Sequence, residues 1–277
     1  MNKVPSNIDR HVFPKLFFQY PILIRLIHSI NYLFNLRNWY VKKEITSLLN
    51  RSSDKMTIID FGCGEGMHIF PFARRYKYVQ FYGFDKNADT IKLCNVFKEK
   101  YKIDNVNFKK VDIENDEISL NSQLIISVAV FPYLYNHEKV VSKIYNLLES
   151  KGTFCLYVPV NDITIIKRYS YYKNKYSHYD KVQEKKRIFQ LDDALYLLKK
   201  NGFSILKYTF TNGFLGIISH EIYAMYLLIL SNGNWFFRIL CTLIFTAFSP
   251  LILIMKLIDY CIKHKNGNGL LVIAKKE

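Results

Sequence analysis

Ile58-Ile59-Asp60-Phe61-Gly62-Cys63-Gly64-Glu65-Gly66 decides the fold. A short apolar run, Thr57–Phe61, carries an acid near its end and passes straight into Gly-x-Gly-x-Gly. Glycine lets the backbone turn tightly and approach a ligand where a Cβ would clash. In an open parallel sheet that ligand lies in the crevice at the carboxyl ends of the strands. The spacing excludes two phosphate-binding motifs. The dinucleotide fingerprint Gly-x-Gly-x-x-Gly meets Met67 at its third glycine position, and no Gly-Lys-Ser/Thr follows as in a P-loop. Both of those motifs hold phosphate on a helix N-terminus. A carboxylate just ahead of the turn suits a ligand with a cationic amino group and no phosphate.

Outward from this stretch, strand and helix signals alternate. Val79–Phe84, Val106–Val111, Leu124–Val130 and Thr153–Val158 read as strands, and Met67–Tyr76, Ala88–Lys100 and Glu138–Glu149 as helices. Such alternation predicts right-handed βαβ units and a mostly parallel sheet covered on both faces. Lys151-Gly152 is expected to stop the third of these helices and turn into the fifth strand. A helix over Leu191–Asn201, a sixth strand over Phe203–Thr211 and a distant seventh over Gly269–Lys275 complete the pattern. From Phe13 to about Asn50 the pattern is helical and aromatic, broken at Pro14 and Pro21, with a second helix from Asn38 to Leu49. These readings divide the chain into an N-terminal helical element (1–50), an α/β domain (51–212 and 267–277) and an apolar helical insertion (213–266).

In this order the segments resemble the class I S-adenosylmethionine-dependent methyltransferases, over residues 57–211 and again over 269–276. The resemblance implies a Rossmann-like, doubly wound, seven-stranded sheet with strand 7 antiparallel, and S-adenosyl-L-methionine as cofactor. That molecule has a cationic amino group and no phosphate. Asp60, Gly62, Cys63, Gly64 and Gly66 then match the motif that holds it. Asp85, closing Tyr82-Gly83-Phe84-Asp85 with Lys86 beside it, matches the acid that binds the ribose hydroxyls. Asp112 in Val111-Asp112-Ile113 matches the acid that receives the adenine amino group, with Ile113 beside the ring. Ser127 ends the run resembling the fourth strand, which faces methionine and substrate. Leu147–Gly152 resembles the family's Leu-Leu-x-Pro-Gly-Gly turn, and Leu198–Phe203 its Ala-Gly-Phe turn. An acid after a strand also serves as a cap or turn residue. Three acids ending three successive strands in the right order weigh against that for the set. Gln123 replaces a commonly structural Asp. Ser127–Leu134 holds Phe-Pro-Tyr without the Asn/Asp-Pro-Pro-Tyr of many nitrogen-methylating members, which argues against adenine or amide nitrogen as acceptor.

Methyl transfer requires a general base only if the acceptor must lose a proton. Catalytic candidates are Tyr133, Tyr135 and His137 after the fourth strand, and His178 and Asp180, with Tyr176 and Tyr179 flanking them. His220 and Glu221, where the insertion begins, are the others. The competing role for each His is a cap or surface position. Tyr169, Tyr171, Tyr172, Tyr176 and Tyr179 are expected to form a water-excluding cover over the site.

The chain has 277 residues, half of them hydrophobic, and a formal net charge of +16. A positive field favours anionic partners: nucleic acid, acidic headgroups or phosphorylated substrates. No dense basic run or appended RNA-binding module is visible, so an RNA methyltransferase ranks below a small-molecule or lipid-like acceptor methylated on oxygen or carbon. A non-catalytic protein retaining the fold is the third reading. Cys63, Cys94, Cys155, Cys241 and Cys261 show no metal spacing and read as free buried thiols of a reducing compartment. Pro5, Asp9, Arg10 and Pro14 interrupt any secretory signal, so a cytoplasmic site is expected. Residues 222–237 and 239–255 carry no formal charge. Ser231–Asn234 is expected to break the first piece, Arg238 to interrupt and Pro250 to kink the second. Because strands six and seven pair, the insertion must leave and return on one side of a membrane. Two short helices in the interface, or a shallow re-entrant hairpin, follow. Trp235, Phe236, Phe237, Arg238, Lys256, Lys263, His264 and Lys265 suit anionic lipid at the inner face of the membrane. Arg25 and His28 of the N-terminal helix are expected beside them. A packed helical cover or an oligomer contact is the alternative use of this surface.

Overall fold

Runs of β-branched and aromatic residues separated by helix-length segments build one α/β layer structure in the computed structural model, which describes residues 19–20, 22–50, 55–176 and 189–277. The strands are β1 (Thr57–Phe61), β2 (Gln80–Asp85), β3 (Val106–Lys110), β4 (Ser122–Val128), β5 (Leu148–Pro159), β6 (Phe203–Thr211) and β7 (Gly269–Lys276). They form a seven-stranded sheet in the order β3-β2-β1-β4-β5-β7-β6. The first five strands pair in parallel, while β7 runs antiparallel to both β5 and β6. The expected Rossmann-like topology with strand 7 reversed is therefore the one observed.

The helices are α1 (Ile22–Phe34), α2 (Leu36–Leu49), α3 (Phe70–Arg75), α4 (Ala88–Lys100), α5 (His137–Leu147), α6 (Lys167–Tyr176), α7 (Leu191–Lys200), α8 (Phe214–Asn232) and α9 (Trp235–Cys261). Successive side chains of a strand point to opposite faces. Ile58 joins the cluster beneath α2, α3 and α4, with Val41, Ile45, Phe70 and Phe97. Ile59 and Phe61 join the other, with Val140, Ile144 and Leu198 of α5 and α7. Gln123, the departure noted in sequence, ties two strands at their amino ends. Its Oε1 accepts the Thr57 N–H at 2.6 Å.

Three sequence expectations are corrected. The helix expected from Met67 begins at Phe70, because Gly62, Gly64 and Gly66 all take positive φ (74°, 49° and 74°) and the turn they make runs on. Pro71 then fits the first helical turn. The helix expected to stop at Lys151-Gly152 ends at Leu147, and Leu148 is already extended. Lys151, at φ 65°, instead sits within β5, opposite the irregular register between Ser122 and Leu124. Finally, Cys63, Cys94 and Cys155 are buried, but Cys241 is half-buried and Cys261 exposed.

The insertion differs most from expectation. The break at Ser231–Asn234 is present, but Arg238 and Pro250 interrupt nothing. α8 has 19 residues and α9 has 27, about 40 Å of helix. Both are long and apolar enough to cross a membrane. Arg238 serves the bend instead: its Nε donates to Gly233 O at 2.8 Å and its Nη2 to Ser231 O at 3.4 Å, where helix carbonyls lack partners. The N-terminal element packs against this hairpin through Phe34, 5.2 Å from the Tyr223 ring, and Asn31, which accepts from Tyr223 Oη at 2.9 Å. His28 does not face that surface. Its ring lies 6.5 Å from Phe70 and 6.2 Å from Phe97, and burial pushes its pKa down to about 4.

At the hairpin base, Asp259 is buried. Its Oδ2 accepts Gly213 N–H at 3.1 Å, its Oδ1 accepts Gly216 N–H at 2.8 Å, and His264 Nε2 lies 3.2 Å from Oδ2. These two N–H groups open α8 and have no partner within the helix. Replacing Asp259 by Ala strands two buried donors, so we expect a loss of about 2–4 kcal/mol in urea unfolding. Asp259→Asn, which keeps an acceptor, should lose about half of that.

Candidate functional site

The glycine turn hangs on the end of β2. Gly62 N–H and Cys63 N–H both donate to Phe84 O, at 2.8 and 3.0 Å. Gly64 N–H donates to Asp85 Oδ2 at 3.0 Å, and Asn87 N–H to Asp85 Oδ1 at 2.9 Å. Asp85 thus braces the turn from the neighbouring strand. A Cβ on Gly62 would stand 2.1 Å from Val130 Cγ2, and one on Gly66 2.7 Å from the Phe70 ring. At Gly64 nothing lies within 4 Å of that position, so the backbone there faces open space. The Cys63 and Cys94 thiols point at Gly64 O, 3.6 and 3.3 Å away, and burial pushes both well above the usual thiol range.

Asp60 is the unusual group. It pairs with Gly83 of β2 and Ile126 of β4 in register, and it is 1% exposed. Among the described residues neither of its carboxylate oxygens has a hydrogen-bond partner. Burial first, and then the Asp85 charge, push its pKa up to about 8. A buried acid without a partner is held protonated, or waits for a cation.

The remaining cofactor candidates line the same carboxyl edge. Ser127 Oγ donates to Phe61 O at 3.3 Å and fastens β4 to β1. Asp112 lies just past β3. Its Oδ1 accepts Glu114 N–H and its Oδ2 accepts Asn115 Nδ2, both at 2.9 Å, so it caps its own turn. Partial burial raises its pKa, but these hydrogen bonds and Lys86 outweigh that and hold it below the usual carboxylate range. Lys86 is exposed and Ile113 is buried beside Asp112. Asp60 and Asp85 stand near the carboxyl ends of the paired strands β1 and β2, and Val111 N–H donates to Asp85 O at 3.0 Å, which places Asp112 on the same edge.

Beyond Ser127 a cavity of about 250 Å³ opens. Ala129, Tyr133, Tyr157, Tyr169, Arg37 and His220 are among its walls. Ala129 takes φ 60°, an uncommon conformation for a non-glycine residue, and donates its N–H to Tyr157 O at 2.8 Å. Among the described residues, Tyr133, His220 and Glu221 are the catalytic candidates that reach this cavity. Tyr135 is 72% exposed and outside it. His137 is also outside: its Nε2 lies 2.9 Å from Phe131 O and its ring packs edge-on to Phe189. Glu221 lines the cavity, but its oxygens accept the Ile165 and Ile166 N–H groups at 2.9 and 2.7 Å, anchoring the start of α6. His178, Asp180 and Tyr179 lie outside the described residues, as does the Tyr176 side chain. Arg37, Ala129 and Tyr157 were not singled out by sequence. Arg37 lies inside a helical aromatic run, and a strained alanine leaves no signature.

Comparison with known proteins agrees with this geometry. The family described as "Methyltransferase domain" matches residues 52–202. Protein 235L of Invertebrate iridescent virus 6, which carries a provisional methyltransferase name, is 29% identical over 127 residues, covering 45% of this chain and 46% of that protein. Trans-aconitate 2-methyltransferase of Agrobacterium fabrum is 28% identical over 102 residues, covering 37% of this chain and 38% of that protein. The match thus spans less than half the length of these relatives. The crystal structure of coclaurine N-methyltransferase bound to N-methylheliamine and SAH superposes with a TM-score of 0.58 at 16% identity, covering 86% of this chain and 71% of that one. At that identity it shows the fold.

The Asp60 shift has a stability consequence. The folded state binds the proton up to about pH 8, while an unfolded Asp releases it near 3.8. Stability therefore falls as pH rises between these values and levels off above the upper one. Asp60→Asn removes the penalty, and at pH 8.5 it should raise ligand-free stability by about 2 kcal/mol in urea titration, with little change at pH 4.

Proposed function

This chain belongs to the class I S-adenosylmethionine-dependent methyltransferases, and from that premise we propose that it methylates an oxygen or carbon of a small or lipid-like acceptor at the cytoplasmic face of a membrane. The observation that carries the reading is Asp60. Two buried carboxylate oxygens without partners are the complement of an ammonium group, which offers three donors and neutralises the charge.

S-adenosylmethionine supplies a methyl group made electrophilic by its sulfonium centre. The chain's own part is to bind and align. Asp60 takes the amino group of the methionine portion. Gly62, Cys63, Gly64 and Gly66 give backbone access, and the open side of Gly64 leaves room for a ligand. Asp85 takes the ribose hydroxyls on the lone pairs that the Gly64 and Asn87 amides leave free, since each ionised oxygen accepts more than one bond. Asp112 and Ile113 hold the adenine end, with the Lys86 charge close to Asp112. Ser127 fixes the end of β4, from which the acceptor cavity opens. Alignment alone lowers such barriers by roughly 7–11 kcal/mol. Where the acceptor must lose a proton, Tyr133 and His220 are placed to take it.

The membrane part rests on the hairpin. Trp235, Phe236 and Phe237 at its bend are 74%, 56% and 56% exposed. Leu243, Phe248, Leu251, Ile254 and Leu257 continue an exposed apolar face along α9. Soluble monomers rarely expose so large a contiguous patch. Lys263 and Lys265 at the exit, and the net charge of +16, suit acidic headgroups.

Three measurements test the reading. By calorimetry the full chain should bind S-adenosylhomocysteine, and Asp60→Asn should weaken binding about thirtyfold. Tritiated methyl from S-adenosylmethionine should pass into membrane extracts with the wild type and not with this variant. Label found only in aqueous RNA would instead favour a nucleic-acid acceptor. Separately, the chain should co-sediment with vesicles of phosphatidylcholine and phosphatidylserine. Replacing Trp235, Phe236 and Phe237 together by Ser should cut the bound fraction about fivefold, and an unchanged fraction would remove the membrane from the proposal.

A further inference from the structure

Two spaces follow one another along α8. The cavity of about 250 Å³ meets the helix at Ile217, His220 and Glu221. A groove of about 680 Å³ begins at the next residue, Ile222, and continues past Met225 and Ile229 to Gly233, with Phe245, Phe248 and Ile252 of α9 opposite. It runs about 18 Å along the helix axis. α6 divides the same way, Tyr169 and Lys173 facing the cavity and Arg168 and Tyr172 the groove. The cavity is smaller than the roughly 300–1,000 Å³ of pockets that enclose a whole ligand. It suits a head, and the groove suits a chain.

The charges in the cavity specify the head. Asp162 is paired with Lys173, Oδ1 to Nζ at 2.6 Å. Glu221 is occupied by two backbone N–H groups. Arg37 remains. Its Nε is buried with no hydrogen-bond partner among the described residues. Its position is fixed beside the cofactor turn, because the next residue, Asn38, reaches Met67 Sδ from Nδ2 at 3.2 Å. A guanidinium presents a planar fork that fits a carboxylate or phosphate with two parallel bonds.

We propose that the acceptor is a single-chain amphiphile, its oxyanion head held by Arg37 in the cavity and its chain laid along the groove between α8 and α9. This rests on the methyltransferase reading of the adjacent site. The groove opens on the apolar face of the hairpin, so a chain enters it from the lipid phase.

Calorimetry on the full chain, saturated with S-adenosylhomocysteine, tests this with laurate, dodecyl phosphate, dodecanol and acetate. At least one dodecyl oxyanion should bind about tenfold more tightly than dodecanol, and the tighter of the two identifies the head. Acetate should be weaker by about a hundredfold or more. Arg37→Gln should bring the oxyanion to the affinity of dodecanol, and Ile229→Trp should weaken all dodecyl ligands about tenfold by filling the groove. S-adenosylhomocysteine binding by each variant confirms folding. Dodecanol binding the wild type as tightly as both oxyanions overturns the head assignment, and dodecyl affinities unchanged in Ile229→Trp overturn the chain assignment. If the wild type binds S-adenosylhomocysteine but shows no oxyanion preference, only this inference falls. If it does not bind S-adenosylhomocysteine, the methyltransferase reading falls with it.

Discussion

The turn after β1 has to be glycine, and most of the site follows from that. Gly62 and Cys63 share the Phe84 carbonyl, Gly64 leans on Asp85, and all three glycines take backbone angles that a side chain resists. Val130 and the Phe70 ring fill the spaces beside two of them, so the turn is set by packing as well as by its hydrogen bonds. With the turn fixed, Asp60 is left buried behind it, and among the described residues neither of its carboxylate oxygens has a hydrogen-bond partner. The protein keeps a destabilising buried acid at the centre of its sheet edge. Groups of this kind concentrate at functional sites, where a ligand offsets what the free protein lacks.

The sheet was legible in sequence because its signals are local. A run such as Thr57–Phe61 shows strand character within a few residues, and the order of strands follows once the connections are taken as right-handed crossovers. The placement of the three acids was legible for the same reason, since Asp60, Asp85 and Asp112 each stand within two residues of the end of a strand. Boundaries failed where tertiary packing decides them. Nothing in Met67-His68-Ile69 announces that helix waits until Phe70; the positive φ at Gly66 does. Lys151 reads as a helix stop, yet it lies inside a strand whose register is irregular. The cavity beyond β4 was largely illegible. Arg37, Tyr157 and His220 lie far apart in the chain and meet only because α2 and α8 are both brought against the end of β5.

The insertion shows how a local rule yields to context. Pro250 and Arg238 were both expected to divide it. In the fold α9 continues through both, and Arg238 turns its guanidinium onto the carbonyls at the end of α8. A charge that counts against an apolar helix in a sequence scan closes a helix end in three dimensions. The buried Lys256, which donates to Ser219 Oγ at 3.2 Å, belongs to the same logic. Polar residues of the hairpin are buried at its base, while much of the apolar surface of α9 is exposed.

α8 carries three duties on one rigid element. Its first turn is clamped by Asp259, Glu221 in its second holds the amides at the start of α6, and its far end forms the apolar bend. A helix of this length behaves as a rod on the scale of these contacts. Pressure on the bend is therefore not absorbed where it is applied. It is carried along the helix to Glu221, which holds the Ile165 and Ile166 amides at the start of α6. Whatever the hairpin rests upon is joined by one rigid element to the wall of the cavity beyond β4.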